Sequence, residues 1–548
     1  MTSFDYIIVG AGSAGCVLAR RLTESGAHKV LLLEAGGSER RLWTQLPIGY
    51  GKAFYDPRIN WMYRTEPEAA LAGRQGYWPR GKVLGGSSSI NAMVHIRGQA
   101  GDFDDWRALG NPGWGWQDLL PYFRKSEDYS GGADEWRGAG GPLHVSDVSR
   151  ECHPLCDVYL RACAELGLKR NADFNGASLE GVGLYQITMQ GGLRMSTARA
   201  YLRPAMRGAN LRVETHAHAT RILFEGKRAV GVEYERGGRP MTASAGREVI
   251  LSAGSINSPQ LLQLSGIGPA ELLRGHGIDV VHDSQVVGRN LQDHLCIDHI
   301  YRSRLPSLNE VFGTWHGRVG AAIRYLLTRR GPLSISVNQG GGFVRSRPDL
   351  PRPNIQLYFS PHSYTKAVPG KRALLRPDPF PGFLLGAQPC RPTSRGYLQI
   401  RSADPFSAPM IIPNSLSTQH DIDELLACAK LLRKLAAMPS FAAIIDKEMA
   451  PGSGIASDEE LIEDIRRRAS CVFHPIGTCG MGPDEKASVV DPELKVHCLS
   501  GLRVIDASVF PTLTSGNTNA PTVAVAERGA DLVLRDVEQP SAIAGEAR

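Results

Sequence analysis

A glycine-rich segment near the N-terminus limits what this chain can fold into more than any other feature. Gly10-Ala11-Gly12-Ser13-Ala14-Gly15 directly follows a short apolar run at residues 6–9. Residues 16–22 continue at helical spacing, and residues 30–33 form a second apolar run. Buried parallel strands read as continuous apolar runs of this kind. The segment therefore predicts a strand, a tight turn, a helix and a second strand, the opening of an α/β domain.

The three glycines have the spacing of a dinucleotide-binding fingerprint. Gly10 permits the tight turn, Gly12 lets the backbone approach a pyrophosphate, and Gly15 lets the helix pack closely on the strand. The helix N-terminus offers free N–H groups to the phosphates. Glu34, 19 residues after Gly15, is placed to accept both hydroxyls of a ribose. The alternative is a glycine-rich turn without a ligand, and the fingerprint alone does not separate FAD from NAD.

Composition and charge exclude several other classes of protein. The chain has 548 residues, 42% of them hydrophobic, which suffices for a sizeable core and suggests two or more domains. The formal net charge of +7 comes from dispersed basic residues without a nucleic-acid-binding module, so we expect no nucleic-acid partner. The ten cysteines form no CxxC pair, so we expect no metal site and a reducing compartment.

The sequence carries no visible targeting signal. The N-terminus has neither a basic region nor a long apolar stretch, so no signal peptide is expected. No run of about 18 apolar residues occurs, so we expect no membrane-spanning helix. These features predict a cytoplasmic protein and leave peripheral contact with the inner membrane open.

Further along the chain, loops with exposed backbone alternate with predicted strands and helices. Residues 79–93 contain paired glycines followed by three serines, which suits close approach to a flat or anionic ligand, with a flexible linker as the alternative. Residues 260–264 predict a helix capped by Ser258. Residues 501–508 predict a buried strand with Asp506 at its carboxyl end, the edge where ligands of open α/β sheets collect. Residues 301–465 differ in character and indicate a second domain.

Five motifs give the chain a specific resemblance to a known family. They are residues 4–15, 80–91, 253–268, 287–294 and 474–478. With these motifs the sequence resembles the glucose–methanol–choline (GMC) family of FAD-dependent oxidoreductases over residues 4–535. Within the family it is most similar to the choline-dehydrogenase-like bacterial alcohol dehydrogenases. The resemblance implies FAD as the cofactor, which the fingerprint alone left open.

The resemblance also implies a fold. We expect an α/β protein whose Rossmann-like FAD-binding domain is assembled from residues 1–155, 193–300 and 466–536. A substrate-binding domain with an antiparallel sheet flanked by helices is expected to comprise residues 156–192 and 301–465. Residues 537–548 are expected to form a flexible tail.

Oxidation of an alcohol by a flavin requires a base for the hydroxyl proton, while the flavin takes a hydride. Histidine suits this task because its ordinary pKa lies near 6.5, and His474 aligns with the family's catalytic base. Asn517 stands where the family has a second His or Asn, and it can orient the hydroxyl but not accept its proton. Tyr358, Phe359 and Phe473 are expected to line the substrate pocket, with the core as the alternative for the aromatic pair in one strand.

The residues expected to bind the cofactor come from the fingerprint and from the resemblance. They are Gly10, Gly12, Ser13, Ala14, Gly15, Glu34, Ala35, Val83, Gly86, Ser87, Asn91, Ala92, Met93, Val94, Ala219, Ala253, Asp506, Ala507, Thr518 and Asn519. Some family members attach FAD through a histidine at the position of Ile90. Since Ile90 has no nucleophile, we expect FAD to be bound non-covalently.

Together these features predict FAD-dependent oxidation of a primary alcohol to an aldehyde, with electrons passed to a quinone, a dye or O₂. The alcohol itself and the choice between dehydrogenase and oxidase stay open. Two other interpretations stay open as well. One is a hydroxynitrile lyase that keeps FAD as a structural group, and the other is a flavin-binding protein without catalysis.

Overall fold

Two seven-stranded sheets organise the protein, and the computed structural model describes residues 2–364 and 377–538 of it. The strands of the first sheet lie in the order Leu211–Thr215, Val30–Glu34, Thr2–Val9, Arg239–Leu251, Arg228–Arg236 and Ala217–Glu225, with Leu502–Val504 beside the end of Arg239–Leu251. The first four strands in this order pair in parallel. Strand Arg228–Arg236 pairs antiparallel with Arg239–Leu251 on one side and with Ala217–Glu225 on the other. Segments near both ends of the chain therefore build one sheet.

The N-terminal unit has the form that the apolar runs predicted. Strand Thr2–Val9 pairs in parallel with Val30–Glu34, and every residue of the latter is buried. Helix Ser13–Thr23 connects the two strands and packs against helix Asn519–Glu538. Both helices contribute to the main apolar core. Full burial of each large aliphatic side chain stabilises such a core by about 1.5–3 kcal/mol.

The second sheet is antiparallel throughout. Its strands lie in the order Ile445–Ala450, Leu295–Ser303, Gly382–Pro389, Ile355–Ser360, Gly340–Val344 and Gly181–Leu184, with Ser470–Cys471 beside the start of Leu295–Ser303. One face packs against the helices Leu155–Glu165, Gln419–Ala436, Pro439–Ala442 and Asp458–Arg468. The predicted fold class is confirmed, since a Rossmann-like α/β sheet stands beside an antiparallel sheet flanked by helices.

Two strands do not follow the predicted domain division, which stays a prediction. Strand Leu295–Ser303 belongs wholly to the second sheet, although the predicted boundary falls at residue 300. Strand Ser470–Cys471 pairs with it, although residues 466–536 are predicted to belong to the other domain. Of the predicted tail, residues 539–548 lie outside the described residues, and the last helix extends to Glu538.

Shorter elements connect the two sheets. The other α-helices among the described residues are Leu42–Gln45, Tyr50–Ala53, Ala100–Ala108, Trp116–Ser126, Arg203–Ala205, Gly254–Leu264, Ala270–Gly275, Leu308–Gly313 and Trp315–Thr328. Two-stranded ladders join Tyr63–Arg64 to Tyr77–Trp78, Glu127–Tyr129 to Leu143–Val145, Met189–Gln190 to Leu193–Arg194, Ile267–Gly268 to His282–Asp283 and Tyr397–Gln399 to Met410–Ile412. Of the helices in the described ranges, none combines the length and the apolar character that a membrane span needs.

Helix Gly254–Leu264 begins before Ser258, the residue predicted to cap it. Pro259 therefore lies inside the helix, where it cannot donate a hydrogen bond to the carbonyl of Ser255. That carbonyl instead accepts a hydrogen bond from the Thr478 hydroxyl, at 2.7 Å. The earlier start is thus stabilised by a residue that lies far away in the sequence.

Candidate active site

A cavity of about 1300 Å³ is lined by residues of both sheets and of the loops between them. All but two of the residues predicted to bind a cofactor line it. These are Gly10, Gly12, Ser13, Ala14, Glu34, Ala35, Gly86, Ser87, Asn91, Ala92, Met93, Val94, Ala219, Ala253, Asp506, Ala507, Thr518 and Asn519. The same wall includes His474 and Asn517, so the fold gathers into one cavity residues that the sequence holds far apart.

Gly15 and Val83 are the two predicted residues that lie behind the cavity wall. A Cβ at Gly15 would overlap the carbonyl oxygen of Gly10, so this glycine serves the close packing of helix on turn. Val83 is fully buried in a small apolar cluster with Ile59 and Ile90. Ile90 itself lines the cavity, so Val83 supports the wall from behind.

The glycine-rich turn leaves room at Gly12. Gly10 has a φ of +98°, and a Cβ there would lie 2.5 Å from the carbonyl oxygen of Ser252, so the fold itself requires glycine. At Gly12 a Cβ would make only an ordinary contact, 3.8 Å from the same oxygen. Helix Ser13–Thr23 starts at Gly12 without a side-chain cap. Open backbone at a helix N-terminus is the form that a phosphate group approaches.

The carboxylate of Glu34 is held by two backbone donors at the cavity wall. Its Oε2 accepts a hydrogen bond from the N–H of Ala11 at 2.9 Å, and its Oε1 accepts one from Gly36 at 2.8 Å. Burial raises the pKa of Glu34 to about 7, against the two N–H groups that lower it. Each carboxylate oxygen keeps a further lone pair, with which it can accept a ribose hydroxyl.

Polar side chains tie the C-terminal segment to the N-terminal turn. The Ser13 hydroxyl donates to Asn519 Oδ1 at 2.8 Å. Asp506 Oδ2 accepts hydrogen bonds from the Ser258 hydroxyl and the Gly254 N–H, at 2.6 and 2.8 Å. Burial raises the pKa of Asp506. These bonds fix Asp506, two residues after strand Leu502–Val504, and the start of the last helix at the cavity.

The loop with paired glycines and serines forms another part of the wall. Gly86–Ser89 makes a turn of 3₁₀ helix. Asn91 Oδ1 accepts hydrogen bonds from the N–H of Met93 at 3.1 Å and from the guanidinium of Arg194 at 2.7 Å. Met93 has a φ of +66°, which side-chain-bearing residues rarely adopt. The loop is therefore a hydrogen-bonded wall, and the alternative of a flexible linker does not apply.

A row of hydrogen-bonded side chains ends at the cavity. His474 Nε2 lies 3.0 Å from Asn517 Nδ2, and His474 Nδ1 lies 3.0 Å from His294 Nδ1. His294 Nε2 in turn lies 3.0 Å from the carbonyl oxygen of Cys390. The row therefore joins the two residues predicted as catalytic to a second histidine that was not predicted as a site residue.

The carbonyl at the far end of this row determines where each proton lies. Because the Cys390 carbonyl can only accept, His294 carries its proton on Nε2, and its Nδ1 is an acceptor when the ring is neutral. His474 then donates through Nδ1, and its Nε2 keeps a lone pair towards the Asn517 amide. Burial lowers the pKa of His294 to about 4 and the pKa of His474 well below its usual 6.5. Both rings are therefore neutral near pH 7.

Asp293 holds the two histidines through their main chain. Its Oδ1 accepts hydrogen bonds from the N–H of His474 at 2.7 Å and of His294 at 2.8 Å. Burial raises the pKa of Asp293 to about 7. The guanidinium of Arg80 donates a hydrogen bond to the carbonyl of Phe473 at 2.7 Å. The pKa of His474 is lowered mainly by burial, then by His294, and also by the positive charge of Arg80.

Comparison with known proteins assigns the family. Residues 4–296 match the N-terminal model of GMC oxidoreductases, and residues 392–526 match the C-terminal model. The chain is a GMC oxidoreductase. The resemblance that its motifs carry is thereby confirmed.

Relatives of this GMC oxidoreductase span nearly its whole length. The alcohol dehydrogenase (acceptor) of Pseudomonas putida is 43% identical over 544 residues, 98% of this chain and 97% of that protein. The mitochondrial choline dehydrogenase of Homo sapiens is 44% identical over 538 residues, 97% and 89% of the two chains. These relatives agree with the predicted branch of the family.

Solved structures share the fold. Pyridoxine 4-oxidase from Mesorbium loti matches with a TM-score of 0.86 at 31% identity, over 96% of this chain and 98% of its own. A formate oxidase variant from Aspergillus oryzae, studied for FAD modification, matches with a TM-score of 0.90 at 27% identity, over 98% and 99% of the two chains.

The GMC oxidoreductase uses FAD, and the predicted cofactor is confirmed. The residues present fit this group, because Gly12 leaves its backbone open to a pyrophosphate and Glu34 offers acceptors to a ribose. Among the described residues, no group of three or more His, Cys, Asp or Glu side chains could hold a metal ion.

Of the three residues predicted to line the substrate pocket of the GMC oxidoreductase, Phe359 does not line the cavity. Tyr358 and Phe473 line the cavity, whereas Phe359 does not. Because side chains alternate between the two faces of a strand, Phe359 points to the helices, where it is fully buried and stacks on Tyr159 at a centroid distance of 5.0 Å. Phe359 is a core residue, which corrects its predicted place in the pocket.

Several cavity residues were missed by the sequence analysis. His294 and Asp293 belong to the motif at residues 287–294, but nothing in a linear motif shows that both contact His474 across the fold. Tyr50 and Phe54 line the cavity from a segment without periodicity, and the ring of Phe54 lies 5.5 Å from that of Phe473, edge to face. An Asp-His pair directly before a strand was the available signal for the first two.

Proposed function

We propose that this chain oxidises a primary alcohol to the aldehyde. In the proposed reaction His474 Nε2 takes the hydroxyl proton, and the hydrogen on the carbinol carbon leaves with its electron pair as hydride. FAD, when bound, supplies the acceptor for that hydride. The two electrons then leave the enzyme on a quinone, a dye or O₂.

The observation that carries the proposal is the direction of the His474 lone pair. The hydrogen bonds from Cys390 through His294 leave Nε2 of His474 unprotonated at the cavity. Because burial lowers the pKa of His474, the ring is neutral at pH 7 and ready to accept a proton. A positioned general base contributes roughly 10²–10⁴-fold to a rate.

Asn517 supports the same assignment as an orienting residue. Its Nδ2 lies 3.0 Å from Nε2 of His474, so an incoming hydroxyl that donates to Nε2 replaces this bond. The released amide N–H can then donate to the substrate oxygen as that oxygen gains negative charge. The amide cannot accept the proton, which leaves His474 as the base.

The substrate class and the electron acceptor are inferred from the relatives. The names of the two relatives describe an alcohol dehydrogenase that uses an acceptor and a choline dehydrogenase. Both names describe oxidation of a hydroxyl compound, which supports an alcohol as substrate. Other relatives are named oxygen-dependent choline dehydrogenases, so both O₂ and another acceptor belong in the test.

We also infer that FAD is held without a covalent bond. Ile90 stands at the family's linkage position and offers no nucleophile. His95, the nearby histidine, is buried beside Glu127, with Nε2 3.1 Å from the carboxylate. Acid precipitation tests the inference, since non-covalent flavin is released into the supernatant and covalent flavin stays in the pellet.

Anaerobic mixing of the holoenzyme with a panel of alcohols tests the proposed reaction. A primary alcohol is expected to bleach the flavin absorbance, and O₂ or a quinone is expected to restore it. His474→Ala should slow bleaching by at least about 10²-fold, with flavin content unchanged. His420→Ala is the matched control, because His420 is half exposed on helix Gln419–Ala436.

The other interpretations predict different outcomes. A hydroxynitrile lyase would release cyanide from a hydroxynitrile while no alcohol bleached its flavin. A non-catalytic flavin-binding protein would show neither reaction. Full-rate bleaching by His474→Ala with every accepted alcohol would contradict the assignment of the base but not the oxidation itself.

A further inference from the structure

One helix carries an unusual share of the exposed apolar surface. Large apolar side chains are exposed at twelve positions of the described chain, and five of these belong to helix Trp315–Thr328. They are Trp315 (73% exposed), Val319 (48%), Ile323 (52%), Leu326 (70%) and Leu327 (81%). Such a patch on a globular protein marks a site of contact with another surface.

The five side chains lie in one stripe along the helix, in which the exposed His316 is the polar member. At about 100° of rotation per residue they fall within an arc of about 120° on the helix. Ala321 and Tyr325, on the opposite side, are buried, and the Tyr325 hydroxyl donates to the carbonyl of Gly192 at 2.9 Å. The helix is therefore fixed to the protein by one face and presents its other, apolar face outwards.

Basic side chains border the stripe. With the same 100° of rotation per residue, Arg318 lies beyond one edge of the stripe and Arg324 beyond the other. Arg329 and Arg330 directly follow the helix. The helix contains no Asp or Glu. Glu151 pairs with Arg324 at 3.3 Å and approaches Arg330 at 3.9 Å. Arg318 and Arg329 form no ion pair with any described residue, so their charge faces solvent.

We propose that helix Trp315–Thr328 docks the enzyme on the surface of a bilayer that contains anionic lipids. An apolar stripe with Trp and Leu, bordered by arginines, is the arrangement of helices that lie in the membrane interface. The long arginine side chains reach the headgroups while the stripe enters the acyl boundary. The proposed contact is peripheral, because the opposite face of the helix is buried against the protein.

A second copy of the chain fits this face less well. In a two-fold dimer the same patch faces itself, so the arginines of one copy would meet those of the other. The helix contains no acidic residue, so this repulsion is compensated only at Arg324 and Arg330, by Glu151, and not at Arg318 and Arg329. An anionic lipid surface supplies the opposite charge.

The docking face is connected to the wall of the cavity. Helix Leu308–Gly313, which precedes and packs on the docking helix, places Leu308 and Phe312 in one apolar cluster with Tyr50 and Val337. Tyr50 and Val337 line the cavity. Docking would thus hold this part of the cavity wall close to the bilayer, independently of which alcohol is oxidised.

Vesicle flotation of the full-length holoenzyme tests the proposal. The wild type is expected to float with vesicles of phosphatidylglycerol and phosphatidylcholine, more weakly with phosphatidylcholine alone, and less at high salt. The double variant Leu326→Glu/Leu327→Glu should lose at least tenfold in binding. Arg318→Gln/Arg329→Gln should lose about fivefold per arginine on anionic vesicles only.

Matched controls separate docking from misfolding and from self-association. Leu109→Glu changes a leucine outside the helix that is 52% exposed, and this variant should bind vesicles like the wild type. Flavin content and activity with a soluble dye should be unchanged in all variants. The proposal is overturned if the wild type binds no vesicles, if Leu109→Glu loses binding equally, or if sedimentation shows a dimer that Leu326→Glu/Leu327→Glu converts to monomer.

Discussion

The imidazoles of His294 and His474 meet through like atoms, with their Nδ1 nitrogens 3.0 Å apart. Only one of two such nitrogens can carry the shared proton, and the carbonyl of Cys390 decides which, because it takes the Nε2 proton of His294. The backbone carbonyl of Cys390, directly after strand Gly382–Pro389 of the second sheet, thereby fixes the tautomer of a histidine at the cavity. The relationship makes His294 a positioning residue for His474.

Replacing His294 should affect the base without removing the cofactor. His294→Leu removes the acceptor for His474 Nδ1 and should lower kcat/KM by roughly 10²-fold, since a wrong tautomer cannot accept the proton. His294→Gln keeps an acceptor and a donor and should recover most of the activity. Because His294 contributes to lowering the pKa of His474, the acidic limb of the kcat/KM profile should move to higher pH in the Gln variant. The positioning role of His294 would be contradicted if both variants were equally active and the acidic limb of the kcat/KM profile did not move.

Asn517→Asp tests the direction of the His474 lone pair. A carboxylate 3.0 Å from Nε2 favours the protonated imidazole and should raise its pKa by roughly one to three pH units. Because the base must be neutral, the acidic limb of the activity profile should move to higher pH, and activity should recover as the pH rises through the new pKa. Asn517→Leu adds no charge and serves as the control, expected to lower activity at every pH without moving the limb. Stopped-flow flavin reduction from pH 5 to 10 provides the measurement.

Gly12 and Gly15 should respond differently to the same substitution. Gly15→Ala puts a Cβ into the carbonyl of Gly10 and should lower the unfolding temperature of the apoprotein. Gly12→Ala has room within the fold, with 3.8 Å to the nearest oxygen, and should leave apoprotein stability almost unchanged. It should nevertheless weaken FAD binding at least about tenfold, because the Cβ occupies the approach to the backbone. Thermal unfolding and flavin titration of both variants measure this, and equal flavin affinity for wild type and Gly12→Ala would contradict it.

Neighbouring residues of one strand should separate stability from substrate binding. Phe359→Ala opens a cavity among buried rings and should cost about 3–5 kcal/mol of unfolding free energy. Tyr358→Phe removes a buried hydroxyl with no hydrogen-bond partner among the described residues, so stability should not fall. Since Tyr358 lines the cavity, its variant should instead change the KM for the alcohol. Denaturant unfolding and steady-state kinetics distinguish the two, and the reverse pattern would show that the faces are misassigned.

The sequence by itself determined the N-terminal strand, turn and helix, because apolar period and glycine spacing act between residues that are close in the chain. The same local spacing identified Glu34 and the wall loop near Asn91. His474 and Asn517 were identified by motif resemblance rather than by geometry. These residues and elements were identified from the sequence, and the tertiary structure added only their positions relative to one another.

Only the tertiary structure decided which residues act together. His294 and His474 are 180 residues apart, and no local pattern reports a contact across that separation. Phe359 lies in the core and not in the predicted pocket. Which face of a strand points to the core depends on the strands and helices that pack around it, and the aromatic pair in the strand does not show this. Helix Gly254–Leu264 started early because Thr478 satisfies a carbonyl that Pro259 leaves free. In each case the deciding interaction is a long-range hydrogen bond or packing contact, whose energy exists only once the chain has folded.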